Sequence, residues 1–268
     1  MKAVILAGGK GTRGKPYTEY FPKAMTPIKG KPLIDYVVTY LKSFKFINEI
    51  IIISDYTDLG GQIKNYYGNQ KNIKFIQDSQ SGTGGDLLHI QKELKNESEF
   101  LLWFVDNLCA LDVAKMRKTF KEKNSLACIA TRTKRKEETG FAVVDDGIIT
   151  EFREKPVMKL QLSECLGIYM LSKEIIQRIK KKKQKQVNLS FDILQDLSKE
   201  GKISAHDIEQ REWIDAESPM ILERNEKLVT KIIKTDGIVD FSSKLDIFSS
   251  NCRVCAISSN PSKRIFFL

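Results

Sequence analysis

The chain has 268 residues, 41% of them hydrophobic, and a formal net charge of +10 from 44 Lys+Arg against 34 Asp+Glu. That length supports one large core, or one core with a small appendage. Its longest apolar runs, such as "EIIIIS" and "FLLWFV", fall well short of the ~20 residues of a membrane span. The N-terminal run Ala3–Ala7 is shorter than the roughly 7–15 apolar residues of a signal-peptide core. A cytoplasmic protein without a membrane partner is therefore expected.

In chain order, short apolar runs at Lys2–Leu6, Glu49–Ser54, Ile73–Gln77, Phe100–Val105 and Leu126–Thr131 predict strands. Between them, helical spacing appears at Pro32–Phe44, where Leu33, Ile34, Val37, Val38 and Leu41 share one face. Further helices are predicted at Gly84–Lys95 and at Asp112–Lys123, the latter opened by a capping aspartate. Strands alternating with helices indicate an α/β chain with a mostly parallel sheet covered on both faces.

The pattern changes after Thr139. "FAVVDDGIITEF" sets two strand runs around Asp146-Gly147, a hairpin signal. A strand at Leu166–Leu171, helices near Lys173–Lys182 and Phe191–Lys199, and a last helix at Pro219–Lys234 follow. This half reads as mixed α+β added to the same sheet, since no Gly/Ser/Pro-rich linker divides the chain. One domain is expected over 1–235. The Ser-rich, aperiodic stretch 236–268 reads as a tail or small appendage.

A basic balance suits a polyanionic ligand. Much of the excess sits in "RTKRK" (Arg132–Lys136) and "KKKKQK" (Lys180–Lys185). No aromatic residue interleaves either run, so nucleic acid is a poor fit, and both read as solvated loop or helix ends. Of the five cysteines, Cys109, Cys128 and Cys165 lie in apolar contexts and are expected to be buried. Cys252 and Cys255 form one C-x-x-C without the second ligand pair that a zinc site needs. A homo-oligomer is compatible with the chain.

The first strand runs into "ILAGGKGTRGKP" (Ile5–Pro16), which admits three readings. Gly9, Gly11 and Gly14 form G-x-G-x-x-G, but a dinucleotide fingerprint needs a helix starting inside the motif. Pro16, Pro22, Pro27 and Pro32 leave no window for one. A P-loop needs Ser or Thr after the lysine, and position 16 is proline, with neither hydroxyl nor N–H. The third reading is a glycine-rich loop that lets a nucleotide approach the backbone. Lys10, Arg13, Lys15 and, farther on, Lys23 would surround its phosphates.

The block "LAGGKGTRGKPYTEYFPKAMTPIKGKPLI" resembles the opening signature of the sugar-1-phosphate nucleotidyltransferases. Later blocks agree in order: "QDSQSGTGGDL", "FVDN", "TGFAVVDDGIITEFREKP", "LGIY" and "WIDAESP". The resemblance covers about residues 1–235. It implies a Rossmann-like, mostly parallel three-layer sandwich with a mixed α+β sugar-binding half. The implied reaction joins a nucleoside triphosphate to a sugar 1-phosphate and releases pyrophosphate, with Mg²⁺ assistance and in-line attack on the α-phosphate. A catalytically weak, nucleotide-sugar-binding regulatory subunit of the same fold is the alternative, and a glycosyltransferase is disfavoured by the Lys23 block.

By resemblance, Arg13 and Lys23 are the catalytic cations. Leu6, Ala7, Gly8, Gly9, Gly11, Thr12, Gln77, Gly82 and Thr83 would hold the nucleotide. Gly140, Glu154, Lys155 and Gly167 would face the sugar phosphate, and Asp106 and Asp215 would share Mg²⁺. "GTGG" (Gly82–Gly85) leans toward guanylyl or uridylyl transfer. The chain departs from the family pattern at Gly14, Lys15 and Val105. Cys165 stands where many members carry a sugar-contacting asparagine, and Ala216 and Glu217 replace the usual apolar-Gly pair after the second aspartate.

Overall fold

The computed structural model describes residues 1–9 and 11–235. Lys10, the C-terminal stretch 236–268 and the Cys252/Cys255 pair lie outside the described residues.

Strand β1 (Lys2–Leu6) leads into two-residue strands β2 (Pro27–Ile28) and β3 (Lys31–Pro32), then helix α1 (Leu33–Lys42). Next come β4 (Glu49–Ser54), α2 (Gly61–Tyr67), β5 (Ile73–Gln77), α3 (Gly82–His89), β6 (Glu99–Phe104), β7 (Asn107–Cys109) and α4 (Val113–Glu122). The second half carries β8 (Ala127–Lys136), β9 (Phe141–Asp145), β10 (Ile148–Arg153), β11 (Val157–Ser172), α5 (Glu174–Lys181), α6 (Gln195–Lys199), β12 (Ile203–Asp207), β13 (Trp213–Asp215), α7 (Pro219–Arg224) and α8 (Glu226–Thr235).

One seven-stranded sheet has the order β12-β8-β11-β6-β1-β4-β5. Its pairs are parallel except where β11 enters antiparallel between β8 and β6. Strands β1, β4 and β6 are buried along most of their length, as central strands covered on both faces must be. On one face, Val4, Ile51, Ile53, Phe100 and Leu102 pack with Leu87 of α3, Ile175, Ile176 and Ile179 of α5, and Leu197 of α6. The other face carries α1, whose Tyr40 meets Trp103 of β6 edge-on at 6.2 Å. The result is the expected three-layer α/β architecture.

Several expectations change. The proline-punctuated segment after the glycine loop, which has no room for a normal helix, folds into three short 3₁₀ turns, Thr12–Gly14, Tyr17–Glu19 and Lys23–Met25. Three-residue turns tolerate prolines at their starts, where no i−4 hydrogen bond is lost. The last helix is two, because α7 ends at Arg224 and Asn225 caps it before α8. The strand expected at Leu166–Leu171 is the inner third of the sixteen-residue β11. Its outer part pairs with β8, so "RTKRK" is a strand and not a solvated loop. Arg132 of that run pairs with Glu164 at 2.6 Å. Cys165 is exposed rather than buried, while Cys109 and Cys128 are buried. Cys165 precedes the fully buried Leu166, and neighbours on a strand face opposite ways.

The expected hairpin β9–β10 forms its own two-stranded sheet, outside the main one. No described helix is long and apolar enough to cross a membrane.

Candidate active site

Ligands of open α/β sheets bind beyond the carboxyl ends of the parallel strands, and β1 and β6 deliver their ends to one place. Leu6 and Phe104 are register partners, so the glycine loop and Asp106 start side by side. Ala7 N–H donates to Ile53 O at 2.8 Å and carries the sheet pattern one residue past β1. Gly8 then passes under Asp78, where a Cβ would lie 2.3 Å from Oδ2. Thr18 clasps the loop from inside. Its hydroxyl donates to Gly11 O at 2.7 Å, and its methyl occupies the space that a Cβ at Gly11 or Gly14 would need. Thr18 was not visible as a functional position, since a lone threonine between tyrosine and glutamate carries no pattern.

The two aspartates are brought together by a second, smaller device. β7 pairs antiparallel with β13, with Asp215 opposite Asn107, and Ala216 N–H donates to Asp106 O at 2.6 Å. Lys23, on the third 3₁₀ turn, points its ammonium into this pair. Nζ is 2.7 Å from Asp106 Oδ2 and 3.9 Å from Asp215 Oδ1.

Asn107 organises the cluster. Its Nδ2 donates to Asp106 Oδ1 at 2.8 Å, and its Oδ1 accepts from Trp213 Nε1 at 2.9 Å. The Arg132 guanidinium lies over the Trp213 ring at 4.4 Å. A chain of contacts thus runs from β8 through Trp213 and Asn107 to Asp106. Asn107 and Trp213 lie inside recognisable blocks, yet only the β7–β13 pairing, joining segments over 100 residues apart, brings them together.

The two carboxylates repel each other. Burial, then the Asp106 charge, pushes the Asp215 carboxyl above its ordinary range, against the pull of Lys23 and Arg13. Asp215 Oδ1 is buried without a hydrogen-bond partner among the described residues. A buried carboxylate oxygen with no hydrogen bond, only an ammonium at 3.9 Å, and a second carboxylate nearby suit a divalent cation. Mg²⁺ is commonly held by one or two carboxylates plus substrate oxygens. Among the described residues no group of three or more His, Cys, Asp or Glu side chains forms a protein-only metal cage, so phosphate oxygens would have to complete such a site.

Arg13, on the first 3₁₀ turn, forms an ion pair with Glu217. Other expected residues are differently engaged. The Gln77 amide holds the turn after β4, accepting from Tyr56 N at 2.9 Å and donating to Asp55 Oδ1 at 2.8 Å. Thr83 Oγ1 accepts from Leu189 N at 2.9 Å. Gly82 and Gly84 lie against Val187, whose carbonyl accepts from Gly84 N at 2.8 Å. The glycines of "GTGG" thus have a packing reason, independent of any base. Gly140, Glu154 and Lys155 gather at the base of the β9–β10 hairpin. A Cβ on Gly140 would lie 3.1 Å from Glu154 Oε2, and Lys155 N donates to Thr139 O at 3.2 Å. Gly167 reaches the centre through Asn107: a Cβ there would lie 2.5 Å from Nδ2.

Comparisons with known proteins give the family. The nucleotidyl transferase family model matches residues 2–227. A UTP–glucose-1-phosphate uridylyltransferase of Synechocystis sp. is 34% identical over 201 residues, 67% of this chain and 51% of that protein. A D-glycero-alpha-D-manno-heptose 1-phosphate guanylyltransferase of Campylobacter jejuni is 33% identical, over 65% of this chain and 77% of that protein. The chain spans about half the length of the Synechocystis relative. Among solved structures, one from Bacillus anthracis, described as a candidate glucose-1-phosphate thymidylyltransferase, superposes with a TM-score of 0.68 at 23% identity. It covers 85% of this chain and 94% of that one, and at that identity it bears on the fold alone. The chain belongs to the nucleotidyl transferase family.

Proposed function

We propose that the chain transfers a nucleotidyl group from a nucleoside triphosphate to a sugar 1-phosphate, with release of pyrophosphate. The observation that carries this reading is the Lys23 ammonium set between Asp106 and Asp215, beyond the strand ends and beside the glycine loop. The reaction brings two anions together. The sugar phosphate oxygen attacks the α-phosphorus, a P–O bond forms, and the bond to the β-phosphate oxygen breaks as pyrophosphate leaves. No side-chain nucleophile is required; positioning and charge neutralisation do the catalysis.

Lys23 would shift from its carboxylate partners toward the α-phosphate and meet the charge that develops there. Arg13 would take the departing pyrophosphate with its planar, always-charged fork. Asp106 and Asp215 would hold Mg²⁺, which supplies Lewis-acid neutralisation of the phosphate oxygens when bound. Asn107 keeps Asp106 oriented for that task. The glycine loop, pinned by Thr18, admits the nucleotide. Gly140, Glu154 and Lys155 at the hairpin base, with Gly167, are the proposed sugar-phosphate side.

The names of the relatives support a uridylyl or guanylyl group and a hexose or heptose 1-phosphate. A cytoplasmic setting fits a consumer of nucleoside triphosphates. The test is pyrophosphate release with Mg²⁺ across the nucleoside triphosphates and a panel of sugar 1-phosphates. Release with at least one pair supports the reading, and no release with any pair despite tight nucleotide binding refutes it.

A further inference from the structure

The turn after Asp215 carries a charged side chain that the reaction does not call for. Glu217 stands where the family pattern has glycine, and its carboxylate holds the Arg13 guanidinium. We propose that Glu217 is an intramolecular competitor for Arg13, occupying its guanidinium until a triphosphate displaces it. The inference rests on the nucleotidyl-transfer reading above.

The two partners are unequally anchored. Glu217 is fixed on both sides: Ala216 N–H is bonded to Asp106 O at 2.6 Å, and Ser218 Oγ accepts from Ile221 N to open α7. Its side chain is only 23% exposed, whereas that of Arg13 is 75% exposed on a three-residue turn. Glu217 therefore stays while Arg13 can turn away. A guanidinium takes carboxylate or phosphate oxygens with the same fork, so the two ligands compete for the same atoms.

Charge points the same way. Arg13 and Lys23 face three carboxylates, Asp106, Asp215 and Glu217. Asp106 and Asp215 have a cation to hold when the site is loaded; Glu217 loses its partner and is left beside the incoming phosphates. With Arg13 largely in solvent the ion pair is screened and weak, and a triphosphate offers the guanidinium more negative charge than one carboxylate. The cost is read as a several-fold weaker affinity, not as a block.

The test is calorimetric titration of the full chain with the four ribonucleoside triphosphates and dTTP, and with the matching monophosphate as control. Wild type, Glu217→Gln, Arg13→Ala and the double variant are compared, each checked by thermal melting. Glu217→Gln is expected to bind the triphosphate about 3–10-fold tighter, with monophosphate affinity unchanged, and the gain is expected to vanish in the Arg13→Ala background. Unchanged or weaker triphosphate binding by Glu217→Gln overturns the proposal. So does a gain that survives undiminished without Arg13, which would mark a general field effect. Wild type that binds none of the triphosphates overturns the nucleotidyl-transfer reading, and this inference with it. Wild type that binds, with no gain in Glu217→Gln, overturns this inference alone.

Discussion

Asn107 fills the space that a side chain at position 167 would need. Gly167 sits at φ +24°, and a Cβ built on it would lie 2.5 Å from Asn107 Nδ2, the atom that donates to Asp106 Oδ1. Gly167→Ala is therefore expected to push the amide off the carboxylate. Loss of such an outer support typically costs about 10–100-fold in metal affinity or activity. The Mg²⁺ activation curve should shift to higher concentration by that order, and Asn107→Ala should show the same shift. An unchanged curve in both variants would remove Asn107 from its positioning role.

Asp215→Asn separates stability from function. The Asp215 carboxyl is held above its ordinary range by burial and then by Asp106. A carboxyl raised on folding destabilises the folded state wherever it is ionised. That penalty is full above the raised folded-state pKa and disappears below the ordinary carboxylate range near pH 4. The variant should therefore melt slightly higher than wild type at neutral pH in metal-free buffer, the gain being limited because the side chain is 42% exposed and solvent screens it. The gain should shrink as pH falls, while Mg²⁺-supported turnover is lost. Calorimetry across pH checks both signs.

How much of this was readable in advance follows from where each feature's information sits. Strands β1, β4 and β6 are buried on both faces and so appear as unbroken apolar runs. The edge strand β12, "ISAHD", is only partly buried and has no such run, and α2 buries only Ile63 and Tyr67. Both were missed. Lys23, Asp106 and Asp215 stand in motif blocks whose order along the chain survives in the sequence. Asn107, Trp213 and Glu217 stand inside those blocks, but their contacts exist only after β7 meets β13 and Arg13 meets Glu217. The packing of "GTGG" is non-local in the same way: Val187, a hundred residues on, lies against Gly82 and Gly84.

That packing makes its own prediction. A Cβ on Gly84 would lie 2.9 Å from Val187 Cγ1 and 3.0 Å from its carbonyl oxygen. Gly84→Ala should lower the melting temperature, since overpacking costs about 1–3 kcal/mol. It should weaken all nucleoside triphosphates alike. A change in the ranking of bases would assign "GTGG" to base recognition as well as to packing.

Thr18→Val keeps the methyl that packs on Gly11 and Gly14 and removes the 2.7 Å hydrogen bond to Gly11 O. Thr18 is 8% exposed, so water does not readily replace that bond. Denaturant unfolding should show a loss of about 1 kcal/mol, together with weaker nucleotide binding as the loop loosens. Equal stability and equal affinity would show that the clasp contributes nothing.

The central claim is that the Lys23 ammonium, held between Asp106 and Asp215, stabilises charge on the transferring phosphate. Pyrophosphate release by Lys23→Ala, measured at saturating triphosphate and sugar 1-phosphate beside a titration of triphosphate affinity, addresses it most directly. The account predicts a rate lowered about 10²–10³-fold, with a folded protein that still binds the triphosphate. A Lys23→Ala rate within a few-fold of wild type would contradict it.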